Sequence, residues 1–153
     1  MTTPTYQPAP NETLGEFVDL LFKRLFFIEN DMALVTLTFE NDVAADAEIA
    51  INGSSMPASA FLDILKDFHA TAVAKLTKTE DLVVVPSDAG ARSGVVAQHL
   101  TFTSTSKTDG KVAEHVSVLI VKVQEKEGKR VMTSLVEAFS GAVGAAGAPN
   151  VGS

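Results

Sequence analysis

Between Val95 and Phe139 the chain alternates apolar and polar residues in three long runs, divided by two short turns at Asp109-Gly110 and Glu127-Gly128. That pattern predicts an antiparallel meander. Successive strand side chains point to opposite faces, so the turns decide which residues share a wall. Asp-Gly favours a two-residue hairpin loop, because both residues tolerate the positive φ that such a loop needs. With Asp109-Gly110 as the loop, Thr108 pairs with Lys111, Thr101 with Val118 and His99 with Ile120. With Glu127-Gly128 as the second loop, Val118 pairs with Glu137 and Ile120 with Leu135. This register places His99 and Glu137 on one wall, surrounded by Thr101, Val118, Ile120, Thr133 and Leu135. An acid/base pair in a mostly apolar wall is the arrangement here that looks like chemistry, and the expectation is a pocket.

The opposite face carries Val96, Gln98, Leu100, Phe102, Leu119, Val121, Val123, Met132, Ser134 and Val136, which is too apolar for water. The chain has enough helix to cover one side of such a sheet, so the expectation is a homodimer formed through the outer sheet face.

Upstream, Thr13 and Glu16 have the spacing of a capping box. The helix that follows runs to about Ile28, with Leu14, Phe17, Val18, Leu21, Leu25 and Ile28 on one face. Phe22 and Phe26 widen that stripe and are expected to line the pocket. A short helix is predicted over 31–39 and a half-buried strand over 43–51, ending at the Asn52-Gly53 turn. Pro57 opens a second long helix with Phe61, Ile64, Leu65 and Phe68 on its buried face. A long strand over 75–85 precedes the meander. Residues 1–12 read as a loose Pro- and Thr-rich arm, 13–139 as a single domain and 140–153 as a flexible Gly/Ala-rich tail.

With 153 residues and 46% hydrophobic content the chain can bury one ordinary core. A net charge of −7 without a basic run argues against nucleic acid and anionic membrane surfaces. Cysteine is absent, which removes disulfides, thiolate nucleophiles and Cys-ligated zinc. The three histidines lack metal-binding spacing, so no metal and no cofactor is expected. The first residues lack the basic and apolar regions of a signal peptide, no apolar run is long enough to span a membrane, and a cytoplasmic location is expected. His115 falls with Ser104 and Ser117 on the face opposite His99, where an interface or surface role is expected. His69 reads as a boundary residue on a helix flank.

The element order is therefore helix, short helix, strand, helix, long strand and meander. With Asn30-Asp31 after the first helix, Phe39-Glu40-Asn41-Asp42-Val43 before the first strand and Leu100-Thr101-Phe102-Thr103 in the meander, it resembles the nuclear transport factor 2-like, or SnoaL-like, superfamily. The resemblance covers Thr13 to Phe139. It implies an α+β cone in which a strongly curved, mostly antiparallel sheet wraps N-terminal helices around an apolar pocket, with dimers commonly formed through the sheet. It also implies cofactor-independent isomerase, dehydratase or cyclase chemistry on an apolar small molecule, with a ligand carrier or protein-interaction adaptor as the alternatives. The ketosteroid isomerase carboxylates do not carry over, since the matching positions fall at Asp46 or Ala47 and at Leu119 to Val121. The late-helix tyrosine of some members is phenylalanine here. His99 resembles the strand histidine of scytalone-dehydratase-like members, and with Glu137 it forms the candidate catalytic pair.

Overall fold

The computed structural model describes residues 12–140; the predicted arm up to Asn11 and the tail from Gly141 lie outside them. Helix α1 spans Leu14–Phe26, and its start is the predicted capping box: Thr13 Oγ1 accepts from Glu16 N at 3.2 Å, while Glu16 Oε1 accepts from Thr13 N at 3.1 Å. Two orphan donors of the first turn are thereby satisfied, a contribution of about 1 kcal/mol. Helix α2 spans Met32–Asp42, with Asp31 capping Leu34 N at 3.1 Å. Strand β1 follows directly over Val43–Ile51 and turns at Asn52 and Gly53, both at positive φ, into a short strand β2, Ser54–Pro57, that the sequence did not announce. Helix α3 occupies Ala58–Thr71, and the long strands β3 (Ala72–Pro86), β4 (Gly94–Ser106), β5 (Val112–Lys126) and β6 (Lys129–Ser140) complete the domain.

The six strands form one sheet in the order β2-β1-β6-β5-β4-β3, antiparallel except for the β1–β6 pair. Phe17, Leu21, Phe22 and Leu25 of α1, Val35 of α2, and Phe61, Leu65 and Phe68 of α3 pack against Val96, Leu100, Phe102, Leu119, Val121, Met132 and Leu135. The architecture is α+β: helices on the concave face of a curved, mostly antiparallel sheet.

The register differs from the expectation at both turns, with different consequences. At the first turn only Gly110 has positive φ, so the two-residue loop does not form. Instead Ser106 Oγ accepts from Thr108 N at 3.2 Å, Asp109 Oδ1 accepts from Lys111 N at 3.0 Å, and Ser106 N donates to Lys111 O at 2.9 Å across a four-residue loop. His99 therefore pairs with Val118 and Thr101 with Val116. A shift of two residues leaves every side chain on its predicted face. The second turn forms as predicted, with Glu127 and Gly128 both at positive φ and Lys126 paired with Lys129. Beyond it, Val123 pairs with Met132 but Lys122 pairs with Ser134, so Thr133 is an extra residue in β6. This bulge moves everything after it by one: Glu137 pairs with Leu119 and Leu135 with Val121.

Two expectations are thereby corrected. His99 and Glu137 lie on opposite faces of the sheet and do not share a wall. The face that carries His99, Thr101, Val118 and Ile120 is the outer one, and the helices cover the face of Val96, Leu100, Phe102 and Leu119. Lys75, Thr103, Thr105, Glu114 and Lys122 alternate onto the His99 face, and these polar side chains are what turns it toward water.

Candidate functional site

Inside the cone a narrow, largely enclosed cavity is lined by Phe22, Phe26, Phe27, Ile51, Ile64, Phe68, Leu100, Phe102, Glu137 and Phe139. It leaves about 30 Å³ for the centres of water-sized molecules, room for roughly two waters. Nine of the ten residues are apolar, and six are phenylalanines. The rings are mutually packed: Phe22 stacks on Phe26 at 6.1 Å, Phe26 meets Phe68 edge-on at 5.9 Å, and Phe27 meets Phe102 edge-on at 5.4 Å.

Glu137 is the sole titratable lining residue. The Thr133 bulge turns it inward, and its backbone is fixed by Asn52, whose N–H donates to Glu137 O at 2.9 Å and whose Oδ1 accepts from Phe139 N at 2.8 Å. As a whole residue Glu137 is half-buried, but its carboxyl is withdrawn from water, and that burial raises its pKa above the ordinary carboxylate value. Ser117 opposes the shift in part by donating its hydroxyl to Glu137 Oε2 at 2.5 Å. In its protonated form such a carboxyl can donate a hydrogen bond to a carbonyl or hydroxyl oxygen, and it can release and recover a proton.

A second buried polar residue on the inner face is His115. Its ring packs on Phe102 at 4.9 Å and on Phe139 at 5.1 Å, the two phenylalanines themselves meeting at 5.8 Å, and Nε2 shares a 2.7 Å hydrogen bond with Ser104 Oγ. Nδ1 lies near the Ser140 backbone without a hydrogen bond of good geometry. Burial holds the imidazole below the usual histidine value, with the Ser140 backbone acting in the opposite sense. Because Phe102 and Phe139 are also cavity walls, the histidine fixes two of the rings that shape the site. His115, Ser104 and Ser117 do share a face, as the alternation required, but it is the inner face.

A third polar cluster secures the sheet edge to α1. Gln98, fully buried, donates through Nε2 to Asp19 Oδ1 at 2.6 Å and Asp81 Oδ1 at 2.7 Å. Burial raises the Asp19 pKa, the Gln98 hydrogen bond opposes that shift and the Asp81 charge adds to it. No group of three or more metal-ligating side chains occurs among the described residues, and no described helix is long and apolar enough to cross a membrane.

Of the predicted pocket residues, Phe22, Phe26 and Glu137 line the cavity. Leu135 points inward but is packed in the core, Thr133 sits at the bulge, and His99, Thr101, Val118 and Ile120 lie on the outer face. The aromatic walls at Phe27, Phe68, Phe102 and Phe139 went unassigned, although the alternation in β4 and the helical spacing in α3 already placed Phe102 and Phe68 on apolar faces.

No protein family's sequence profile matches the chain, and no curated protein sequence does either. Solved structures do. A conserved protein from Planctomyces limnophilus superposes with a TM-score of 0.67 at 11% identity, over 81% of this chain and 94% of the other. A nuclear transport factor 2-like protein of unknown function from Prochlorococcus marinus gives 0.54 at 12% identity, over 83% and 93%. A ketosteroid isomerase-like protein from Erwinia carotovora atroseptica gives 0.52 at 15% identity, over 71% and 81%. Helices on the concave side of a six-stranded curved sheet, a carboxyl inside the cone and these superpositions lead to one conclusion: the chain has the nuclear transport factor 2-like, SnoaL-like fold.

Proposed function

We propose that this cone takes up a small, flat, largely apolar molecule bearing one carbonyl or hydroxyl group, and that Glu137 exchanges a proton with it in an isomerase-, dehydratase- or cyclase-type reaction. The observation that carries the reading is the Glu137 carboxyl, its pKa raised by burial, lining a cavity walled by phenylalanine. A carboxyl with a raised pKa keeps its proton to higher pH than a free one, which suits it to donate that proton and take one back. The ketosteroid isomerase-like protein of the same fold adds support at the level of scaffold. The chemistry requires no cofactor. A ligand of one or two rings must displace part of the packed phenylalanine cluster, and half-buried Phe26, Phe27 and Phe139 are the side chains positioned to yield.

A second reading, a non-catalytic carrier, draws on the same cavity having one titratable group and no second acid or base facing it. Deuterium exchange separates the two. The protein is incubated in D2O with cyclohexenone and with the larger α-tetralone, while binding is followed through the phenylalanine ring resonances. The enzymatic reading expects deuterium incorporation beside the carbonyl, a loss of at least about 100-fold in Glu137→Gln, the scale of general acid–base catalysis, and retained binding. Binding without exchange in the wild type would leave the carrier, and no binding of either ketone would end both readings.

The outer face is the proposed homodimer surface. Val116, Val118, Ile120 and Val136 are exposed there in one patch, with His99 beside Val118. This reading assigns His99 to the interface, since nothing brings it into the cone.

A further inference from the structure

The lining of the cavity shows which of its walls lies nearest to water. Phe22, Phe68 and Phe102 are buried, whereas Phe26 and Phe27 at the end of α1 and Ile64 of α3 are only half-buried. The seam between α1 and α3 is therefore part of the open side. Rings close it from within: Phe26 meets Phe61 at 6.1 Å and Phe68 edge-on at 5.9 Å.

A polar contact crosses the same seam. His69, next to Phe68 on α3, shares a 2.6 Å hydrogen bond between Nε2 and Leu25 O, and because a carbonyl can only accept, the imidazole donates. Leu25 O belongs to the last turn of α1, whose carbonyls have no partner within the helix. The two ends of this bond are not equally fixed. α3 is secured to the β4–β5 loop, where Lys107 N donates to Thr71 O at 2.9 Å and Lys107 Nζ to His69 O at 2.6 Å. After α1 the chain runs from Phe27 to Asp31 without helix or strand, with Asn30 at a φ of +55°, so the last turn of α1 is the side that can give.

We propose that His69 is the latch of the cavity: by holding Leu25 it keeps the last turn of α1, with Phe26 and Phe27, against α3, and so limits the size of the molecule admitted. The cavity has room for only about two waters, and a ring enters it when part of this wall yields. His69 is thus a specificity-determining residue although it is not one of the lining residues. This role rests on the cavity being the ligand site of the proposed function, but not on its proton chemistry.

The test compares the wild type with His69→Leu, which removes the donor, and with His69→Gln, whose amide nitrogen can still donate. Benzene and naphthalene are the probes, since neither carries an oxygen for Glu137 to act on, and their binding is followed through the phenylalanine ring resonances. Hydrogen exchange of the Phe27 amide, which donates to Lys23 O, reports the last turn of α1, with the Leu119 amide in the middle of the sheet as the reference for global unfolding. His69→Leu should speed Phe27 exchange about fivefold relative to Leu119, the scale of one hydrogen bond, and should tighten naphthalene binding at least about fivefold relative to benzene. His69→Gln should match the wild type in both respects. An unchanged Phe27 amide or an unchanged hydrocarbon ratio in His69→Leu, equal behaviour of the two variants, or no hydrocarbon binding in any of the three proteins would overturn the latch. Deuterium exchange into the ketones is a separate readout, so the proton chemistry can fail while the latch stands, and the latch can fail while the chemistry stands.

Discussion

Four consecutive residues of β5 sample both faces of the sheet: Ser117 and Leu119 are fully buried, whereas Val118 and Ile120 are 37% and 46% exposed. Chain, strand and backbone partners are shared, so the difference lies in what each face meets. The inner face packs on three helices and can therefore hold polar groups that water does not reach: Gln98, Ser104, His115 and Ser117 are all buried there. Each is costly to bury unless satisfied, and all four have side-chain hydrogen-bond partners on neighbouring elements. The outer face buries none of these and leaves branched aliphatics open. Polarity under cover marks the face of the proposed chemistry, and aliphatics without cover mark the face of the proposed dimer.

The largest expected contrast is between neighbours. Leu119→Ala should cost about 2–5 kcal/mol, the range for truncating a fully buried leucine, while Ile120→Ala should cost less than about 1 kcal/mol in the monomer. Urea unfolding at low protein concentration measures both. Equal losses would mean that the outer face is also covered within one chain.

The pH dependence follows from the two buried titratable groups of the inner face. Glu137 has a folded pKa above 4.5, so the stability linked to its proton is complete below about pH 4.5 and is lost as pH rises through the folded value. His115 has a folded pKa below 6.5, so the protein loses stability as pH falls from about 6.5 toward the folded value. Each contributes a slope of at most about 1.4 kcal/mol per pH unit. Glu137→Gln should flatten the decline on the rising side, with Asp19 leaving a residue of the same sign. His115→Phe should flatten the acid side and keep the cluster of three mutually packed rings with Phe102 and Phe139. Thermal unfolding from pH 4 to 8 checks both, and unchanged profiles would show that neither group is shielded in solution.

Much of this fold is legible in the amino-acid sequence, because the strongest signals are local. The Thr13–Glu16 capping box, the Asn52-Gly53 and Glu127-Gly128 turns and the helical spacing of Phe61, Leu65 and Phe68 each depend on residues within a few positions of one another. The site was less legible, because its geometry rests on a single inserted residue. Thr133 has the β-branched character of any strand residue, and nothing about it signals that Met132 and Ser134 will both pair across β5 while it does not. The bulge shows only in how β6 pairs across to β5, not in the residues around Thr133. The two-residue error at Asp109-Gly110 was harmless by comparison, since an even shift preserves faces. Inside and outside are set by the larger apolar set: Leu100, Phe102 and Leu119 share a side, and the helices pack on that side and not on the face of His99.

The smallest contrast examines whether Ser117 matters for its position or for its hydrogen bond. Ser117→Ala removes the donor to Glu137 Oε2, leaving a buried carboxyl without that partner, and should cost about 1 kcal/mol. Because this bond lowers the Glu137 pKa against the effect of burial, its loss should move the carboxyl titration, followed by NMR of the side-chain carbon, to still higher pH. Val118→Thr, one residue on, changes the shape little and lies on the exposed face, so it should alter monomer stability by less than about 0.5 kcal/mol and leave the titration where it was. The adjacent pair thus holds strand position nearly constant and varies only access to the cone. If Val118→Thr shifted the Glu137 titration as far as Ser117→Ala did, the carboxyl would be responding to the strand as a whole, and the division of labour between the two faces would fail at the residue on which the proposed chemistry depends.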